Sequence, residues 1–384
     1  MEQLRLVPLE TSTSFAERRF LAGRAHFPPN FPDLRQDCIS LLKEIMGTSA
    51  DVLVYNGSPM GGMEAAIVNL FSPGERVLVG IAGKQGERFA ELASTFGLAT
   101  EKFAARPDGS FDLRVLEDLL NEGGFSGLVF AHVDSTTGAM ADLRQVGRLA
   151  RRYSAIFVAD VSASLGGTEV SVDEWGIDVT VCASSGGLAG LPGLTALVVG
   201  PHAWQAASQS TMPRSYWDFL AYREHAVAER SGLPGEIPGG ARSELLWQSL
   251  LSGAGQLLSE GLEAAWRRHA LMARMVRSAA AVLGLEAAVS DPDAQSPTVT
   301  VLRVPEGIPA EALLARLRTR YGVVLGQDVA ADGMLSVGHL GVVQPEDVLA
   351  AMGFLGRALS DLGHPASTAA AVAAARRAWE NPGS

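Results

Sequence analysis

Short apolar runs alternate along the first half of the chain with stretches whose apolar positions recur every three to four residues. The runs at Asp51–Tyr55, Arg76–Ile81, Gly127–His132, Ile156–Asp160, Asp178–Ala183 and Thr195–Val199 are short and Val/Ile-rich, which predicts buried strands. Amphipathic segments near Gly62–Phe71, Gly86–Phe96, Leu113–Asn121 and Asp142–Tyr153 predict helices between them. Strand and helix in alternation give βαβ units and a mostly parallel sheet. Sites in such sheets form beyond the carboxyl ends of the strands. The segments GSPMGG (57–62), AGKQGER (82–88), HVDSTTG (132–138), DVSASLGG (160–167) and ASSGG (183–187) all fall at those ends. Five loops meeting there mark the place to look for chemistry.

The second half reads differently. Gly232–Gly240 (GLPGEIPGG) is a Gly/Pro-rich connection. A long helical pattern follows over Ser243–Leu283, with an interruption expected near Ser252-Gly253. Strand Thr298–Val304, helix Pro309–Tyr321, strands near Val323–Gly326 and Met334–Gly338, and helix Pro345–Leu362 then make a compact α+β unit. An Ala-rich helical tail begins at Gly363 and ends in ENPGS. The division expected is a large domain over residues 20–256, a small one over 257–384, and an N-terminal segment, 1–19, packing on the small domain.

The 384 residues are 47% hydrophobic and 19% charged, enough for a large core in two domains. The net charge of −11 and few aromatics argue against nucleic acid and anionic membranes as partners. The sequence has no apolar run long enough to span a bilayer, and MEQLRLVPLE lacks a signal-peptide layout, so the expected location is the cytoplasm. Cys38 and Cys182 are too few for a disulfide framework or a zinc site. Lysine is scarce: only Lys43, Lys84 and Lys102, the other 28 basic residues being arginine.

Ordered motifs give the chain a family resemblance. Asn56 to Ala66 (NGSPMGGMEAA), Gly83 to Arg88 (GKQGER), His132 to Gly138, Asp160 to Gly167 with Val172 to Asp178 (VDEWGID), and Ser336 to Gly341 (SVGHLG) resemble the successive signatures of class V aminotransferases of the serine–glyoxylate and alanine–glyoxylate type. The resemblance runs from about His26 to Leu355. It implies the fold-type I architecture of pyridoxal phosphate (PLP) enzymes: α/β, a mostly parallel large-domain sheet flanked by helices, and a small α+β C-terminal domain. It also implies a small-molecule substrate and a homodimer with the active site at the subunit interface.

Five positions depart from that pattern. Gly186 stands where the family has the lysine that forms the Schiff base and shuttles the proton; no lysine follows Lys102 to replace it. Ser336 replaces an arginine that would clamp a substrate carboxylate. Gln85 replaces the aromatic residue that stacks on the pyridine ring. Pro59 and Met60 replace Gly and Thr in the phosphate cup, and proline has no N–H to offer. Together the losses lead to the expectation of no cofactor, with PLP or its amine form, PMP, held non-covalently as the alternative.

Other positions carry two readings each. Asp160 matches the partner of the pyridine nitrogen, or caps a turn. His132 and Asp134, at i and i+2, would share one face of a continuing strand and do acid–base work, or would order a loop. His339 faces the site in the family, or is structural. Lys84 is a relocated amine or a surface residue. Arg242 is an anion ligand or a helix-start residue. Ser58, Met60, Gln85, Ser135, Thr136, Ser162, Ser184, Ser185, Gly186 and Ser336 complete the candidate lining. Three functions stay open on these residues: a PLP-independent enzyme of a specialised biosynthetic pathway, using Asp160, His132, Asp134 and His339 for condensation, cyclisation or isomerisation; a transaminase or dehydratase with dissociable PLP or PMP; and a non-catalytic ligand-binding or scaffold subunit.

Overall fold

A computed structural model describes residues 4–6, 31–230, 243–327 and 329–381. Its centre is a seven-stranded sheet built from β1 (Asp51–Asn56), β2 (Arg76–Ile81), β3 (Ala99–Ala104), β4 (Gly127–Ala131), β5 (Ile156–Asp160), β6 (Val179–Ala183) and β7 (Leu194–Val199). The spatial order is β1-β7-β6-β5-β4-β2-β3, with β7 antiparallel to both its neighbours and the other pairs parallel. The antiparallel β7 follows from chain length. Parallel neighbours need a long crossover, whereas β6 and β7 are joined only by residues 184–193. That connection therefore stays at the carboxyl end of β6, among the other loops of the site.

Burial on both faces explains the unbroken apolar runs. Val54, Leu128, Phe130, Phe157 and Cys182 point into one core cluster, under the helices Phe31–Ile45, Leu143–Arg152 and Glu244–Glu260. Tyr55, Val79, Val129, Val158 and Val181 point into the opposite one, under Pro59–Leu70 and Lys84–Thr95. Neighbouring residues thus alternate between two cores, each full burial contributing about 1.5–3 kcal/mol. The strand β3, at one edge of the sheet, has no such run: ATEKFA buries only Phe103.

The long helical region breaks at Gly261, whose φ is +87°, not at Gly253. Residue 256 lies inside the first of the two helices, Glu244–Glu260. Gly253 serves another purpose there: a Cβ on it would lie 2.1 Å from the Leu188 carbonyl oxygen. The glycine read as a breaker is a close approach of helix to turn. Beyond Gly261, the helices Leu262–Val282, Pro345–Asp361 and Thr368–Glu380 form a third core with the antiparallel strands Val299–Arg303 and Met334–Gly338. The expected helix to Tyr321 is α only over Ala310–Arg316 and widens to a π turn over Leu317–Tyr321. Leu4–Leu6 pairs in parallel with Val323–Leu325. Gly232–Gly240 and Arg242 lie outside the described residues.

Candidate active site

A cavity of about 750 Å³ opens where the five loops meet. That is within the size of small-molecule sites, roughly 300–1,000 Å³. Asp160, the last residue of β5, lies buried behind it, 3% exposed. Its Oδ2 accepts a hydrogen bond from Gln85 Nε2 at 2.6 Å, and its Oδ1 accepts one from the Ser162 amide at 2.8 Å. Burial pushes the Asp160 carboxyl above the usual carboxylate range; the Asp134 charge adds to this and the donors from Ser162 and Gln85 oppose it. Ser162 lines the cavity, and its buried Oγ makes no well-aligned hydrogen bond.

The loops are stitched together by Asp134. Its Oδ1 accepts from the Thr136 amide at 2.9 Å and from Thr136 Oγ1 at 2.6 Å, while its Oδ2 accepts from the Gln85 amide at 3.2 Å. Thr136 Oγ1 in turn accepts from the Lys84 amide at 3.0 Å. Asp134 thereby fixes the start of helix Lys84–Thr95 and the placement of Gln85, Lys84 and Thr136 on the cavity wall, where Ser135 also lies. Lys84 Nζ pairs with Asp332 Oδ2 at 2.7 Å.

Helix Pro59–Leu70, also at the cavity wall, begins at Ser58, which makes no side-chain cap. The Ser58 carbonyl receives the Gly62 amide at 3.1 Å, so the first-turn amides before it have no intrahelical partner. Ser58, Pro59 and Met60 line the cavity. A Cβ on Gly61 would come within 2.9 Å of the Trp217 ring, which packs over this helix start.

The turn between β6 and β7 is packed backbone to backbone. Gly186 has φ +72°, the left-handed region that disfavours any side chain. A Cβ on Gly187 would lie 1.8 Å from the Leu165 carbonyl oxygen, and one on Gly341 would lie 2.4 Å from that of Gly186. Ser185 lines the cavity, but Ser184 does not: its Oγ donates to the Leu191 carbonyl at 2.6 Å and accepts from the Leu194 amide at 3.3 Å. Ser184 closes the turn instead of contacting a ligand.

His132, His339 and Ser336 are likewise absent from the cavity wall. His132 and Asp134 do not form an acid–base pair. The sheet strand stops at Ala131, and Val133–Asp134 joins a separate two-residue ladder with Ala139–Met140, so the shared-face argument fails. The buried His132 ring shares a 2.9 Å hydrogen bond with Ser164 Oγ and meets the Trp175 ring edge-on. His339 is wholly buried, its Nε2 2.9 Å from Thr300 Oγ1. Ser336 is buried in the pairing of Met334–Gly338 with Val299–Arg303.

The buried histidines have a consequence for acid stability. Burial pushes His132 from its ordinary 6.5 down to about 4; burial, then the Arg268 charge, does the same to His269. Unfolding frees both rings to bind protons, so their contribution is complete above about pH 6.5 and is lost as pH falls toward about 4. The urea midpoint is expected to drop between pH 7.5 and 5, and His132→Gln to shrink that drop. An unchanged drop in the variant would remove His132 from this account.

One charged wall residue escaped the sequence reading. Arg88, one turn beyond Lys84 on the same helix face, lines the cavity and forms no ion pair among the described residues. The i, i+4 spacing after a site loop was the available signal. With Lys84 it puts two cationic side chains on the wall.

The family model described as Aminotransferase class-V matches residues 31–330. This chain belongs to the class V aminotransferases. It is 33% identical over 343 residues to the soluble hydrogenase small subunit of a Synechococcus strain, covering 88% of this chain and 87% of that one. It is 29% identical to the L-aspartate–glyoxylate aminotransferase of Paracoccus denitrificans, covering 91% and 89%. The solved pyridoxamine–pyruvate aminotransferase of Mesorhizobium loti has the same fold, with a TM-score of 0.89 at 24% identity over 100% of this chain and 98% of that one.

These matches overturn the expectation of no cofactor. The family and its aminotransferase members point to PLP or PMP. The residues present fit such a group, provided that no covalent link is needed. A buried carboxylate lies behind the cavity, a buried Ser162 hydroxyl lacks a well-aligned partner, and an uncapped helix start faces the same space. The only lysine on the cavity wall is Lys84.

Proposed function

We propose that this chain is a transaminase or dehydratase that holds PLP or PMP without a Schiff-base lysine and acts on a small amino or keto acid. The observation that carries the reading is that one cavity is lined both by Gln85 and Ser162, the two residues that donate to buried Asp160, and by the uncapped start of helix Pro59–Leu70. Asp160 would hold the ring nitrogen. Ser58 and the first-turn amides would hold the phosphate, which the helix dipole favours. Bound there, the group supplies an electron sink for the carbon beside its amine or aldehyde. Arg88 and Lys84 would attract a substrate carboxylate, a task that Ser336 cannot perform. Lys84, held by Asp332, is the amine available to hold or move a proton.

The test is direct. Incubation with PLP should give a bound absorbance band, and borohydride treatment should leave the protein mass unchanged, since no lysine is linked. Absence of binding to both PLP and PMP by calorimetry would remove the reading. A borohydride-fixed adduct would remove its non-covalent part. The same reading includes a cytoplasmic homodimer with the cavity at the subunit interface; a monomer by light scattering would exclude the dimer. No helix among the described residues is long and apolar enough to cross a membrane.

A further inference from the structure

We infer that Gln85 competes with the ring of the ligand for Asp160: its carboxamide donates to Oδ2 and must yield that oxygen to a ring bearing an N–H. The inference rests on the proposed PLP or PMP reading and concerns what sets the affinity.

Asp160 has two donors, and they differ in freedom. The Ser162 donor is a backbone amide in a tight turn after β5 and cannot leave without moving the chain. The Gln85 donor is a carboxamide at the end of a flexible side chain that lines the cavity. Its backbone is pinned, because the Gln85 amide donates to Asp134 Oδ2 at 3.2 Å. Only the side chain can swing. An aromatic residue at this position could stack on a ring but could not donate to the carboxylate as the carboxamide does. The cavity residues thus satisfy Asp160 from within, and an entering ring N–H competes with a charge-assisted hydrogen bond already made.

Competition has a sign that a supporting role lacks. A donor that merely props up Asp160 would weaken binding when removed. A competitor strengthens binding when removed, since the empty state loses the contact and the bound state does not. Gln85→Ala should bind PLP about tenfold more tightly, the scale of one hydrogen bond to a charged group. Gln85→Met keeps the side-chain length without the amide and should shift in the same direction; it serves if the alanine variant misfolds. A carbocyclic PLP analogue without the ring nitrogen has nothing to offer Asp160. Its affinity for the parent and Gln85→Met proteins should agree within about twofold, because Gln85 need not leave.

Calorimetric titration of the parent protein and both variants decides the matter, with circular dichroism to confirm folding. Tightening for PLP alone supports the inference. Unchanged or weaker PLP binding in both variants, with the parent binding, overturns it and leaves the proposed function standing. No binding of PLP or PMP to any of the three overturns both.

Discussion

Asp160→Ala lowers PLP affinity on the order of a hundredfold, the largest binding effect expected of any single change. The carboxylate lies almost fully out of water at the end of β5, so a ring N–H that reaches it makes a charge-assisted bond where solvent cannot screen it. Truncation removes that acceptor and orphans the Ser162 amide and Gln85 Nε2. Asp160→Asn separates the two effects. It keeps an acceptor oxygen without the charge and should fall between the parent protein and the alanine variant. Titration calorimetry gives the numbers, and turnover of any substrate found should fall in the same order. Parent-like affinity in Asp160→Ala would move the ring elsewhere in the cavity and sink its assigned role.

The largest effect on stability is expected at the turn that carries position 186. Gly187→Ala puts a methyl carbon 1.8 Å from the Leu165 carbonyl oxygen, and Gly253→Ala puts one 2.1 Å from that of Leu188. Neither opposing atom belongs to a side chain that can rotate away, so the backbone itself must move. Each change should cost about 3 kcal/mol or more, a large part of a typical total of about 5–15 kcal/mol. Gly255→Ala is the control. It lies on the same helix as Gly253 with nothing within 4 Å, and replacing a helical glycine there should raise stability by about 0.5–1 kcal/mol. Urea midpoints compare the three. If Gly253→Ala and Gly255→Ala behaved alike, the close packing of helix on turn would be wrong.

The fold was legible in the sequence where both faces of an element are buried. Arg76–Ile81 and Ile156–Asp160 were bounded to the residue, since a short apolar run stands between polar or turn-forming neighbours in each case. The edge strand Ala99–Ala104 left no run to read, since one buried phenylalanine among polar neighbours has no period. Gly253 shows a different limit. Glycine marks either a break or a contact, and only the position of the Leu188 carbonyl separates the two.

The site was legible as a place and less so as a set of roles. The loops at the strand ends do enclose a cavity, and Ser58, Met60, Lys84, Gln85, Ser135, Thr136, Ser162 and Ser185 line it. Roles inferred from residue type fared worse. His132, His339 and Ser184 have the chemistry of a site, but they are buried and hydrogen-bond to Ser164, Thr300 and the 184–194 turn instead of lining the cavity. Spacing alone carried the His132–Asp134 pair, and it assumed a strand running to Asp134, whereas the strand ends at Ala131. The expectation of no cofactor treated five substitutions as cumulative loss. It gave too little weight to what Asp160, Ser162 and the helix start can still hold.

The hydrogen bond from Gln85 to Asp160 also bears on how the protein waits. A site whose buried carboxylate is left bare when its ligand departs invites local opening, and an opened loop is where proteases cut. Here the chain carries its own plug for that charge. On the proposed reading, limited proteolysis without added PLP or PMP should therefore cut Gln85→Met faster than the parent protein, because only the parent keeps that carboxylate hydrogen-bonded from its own chain.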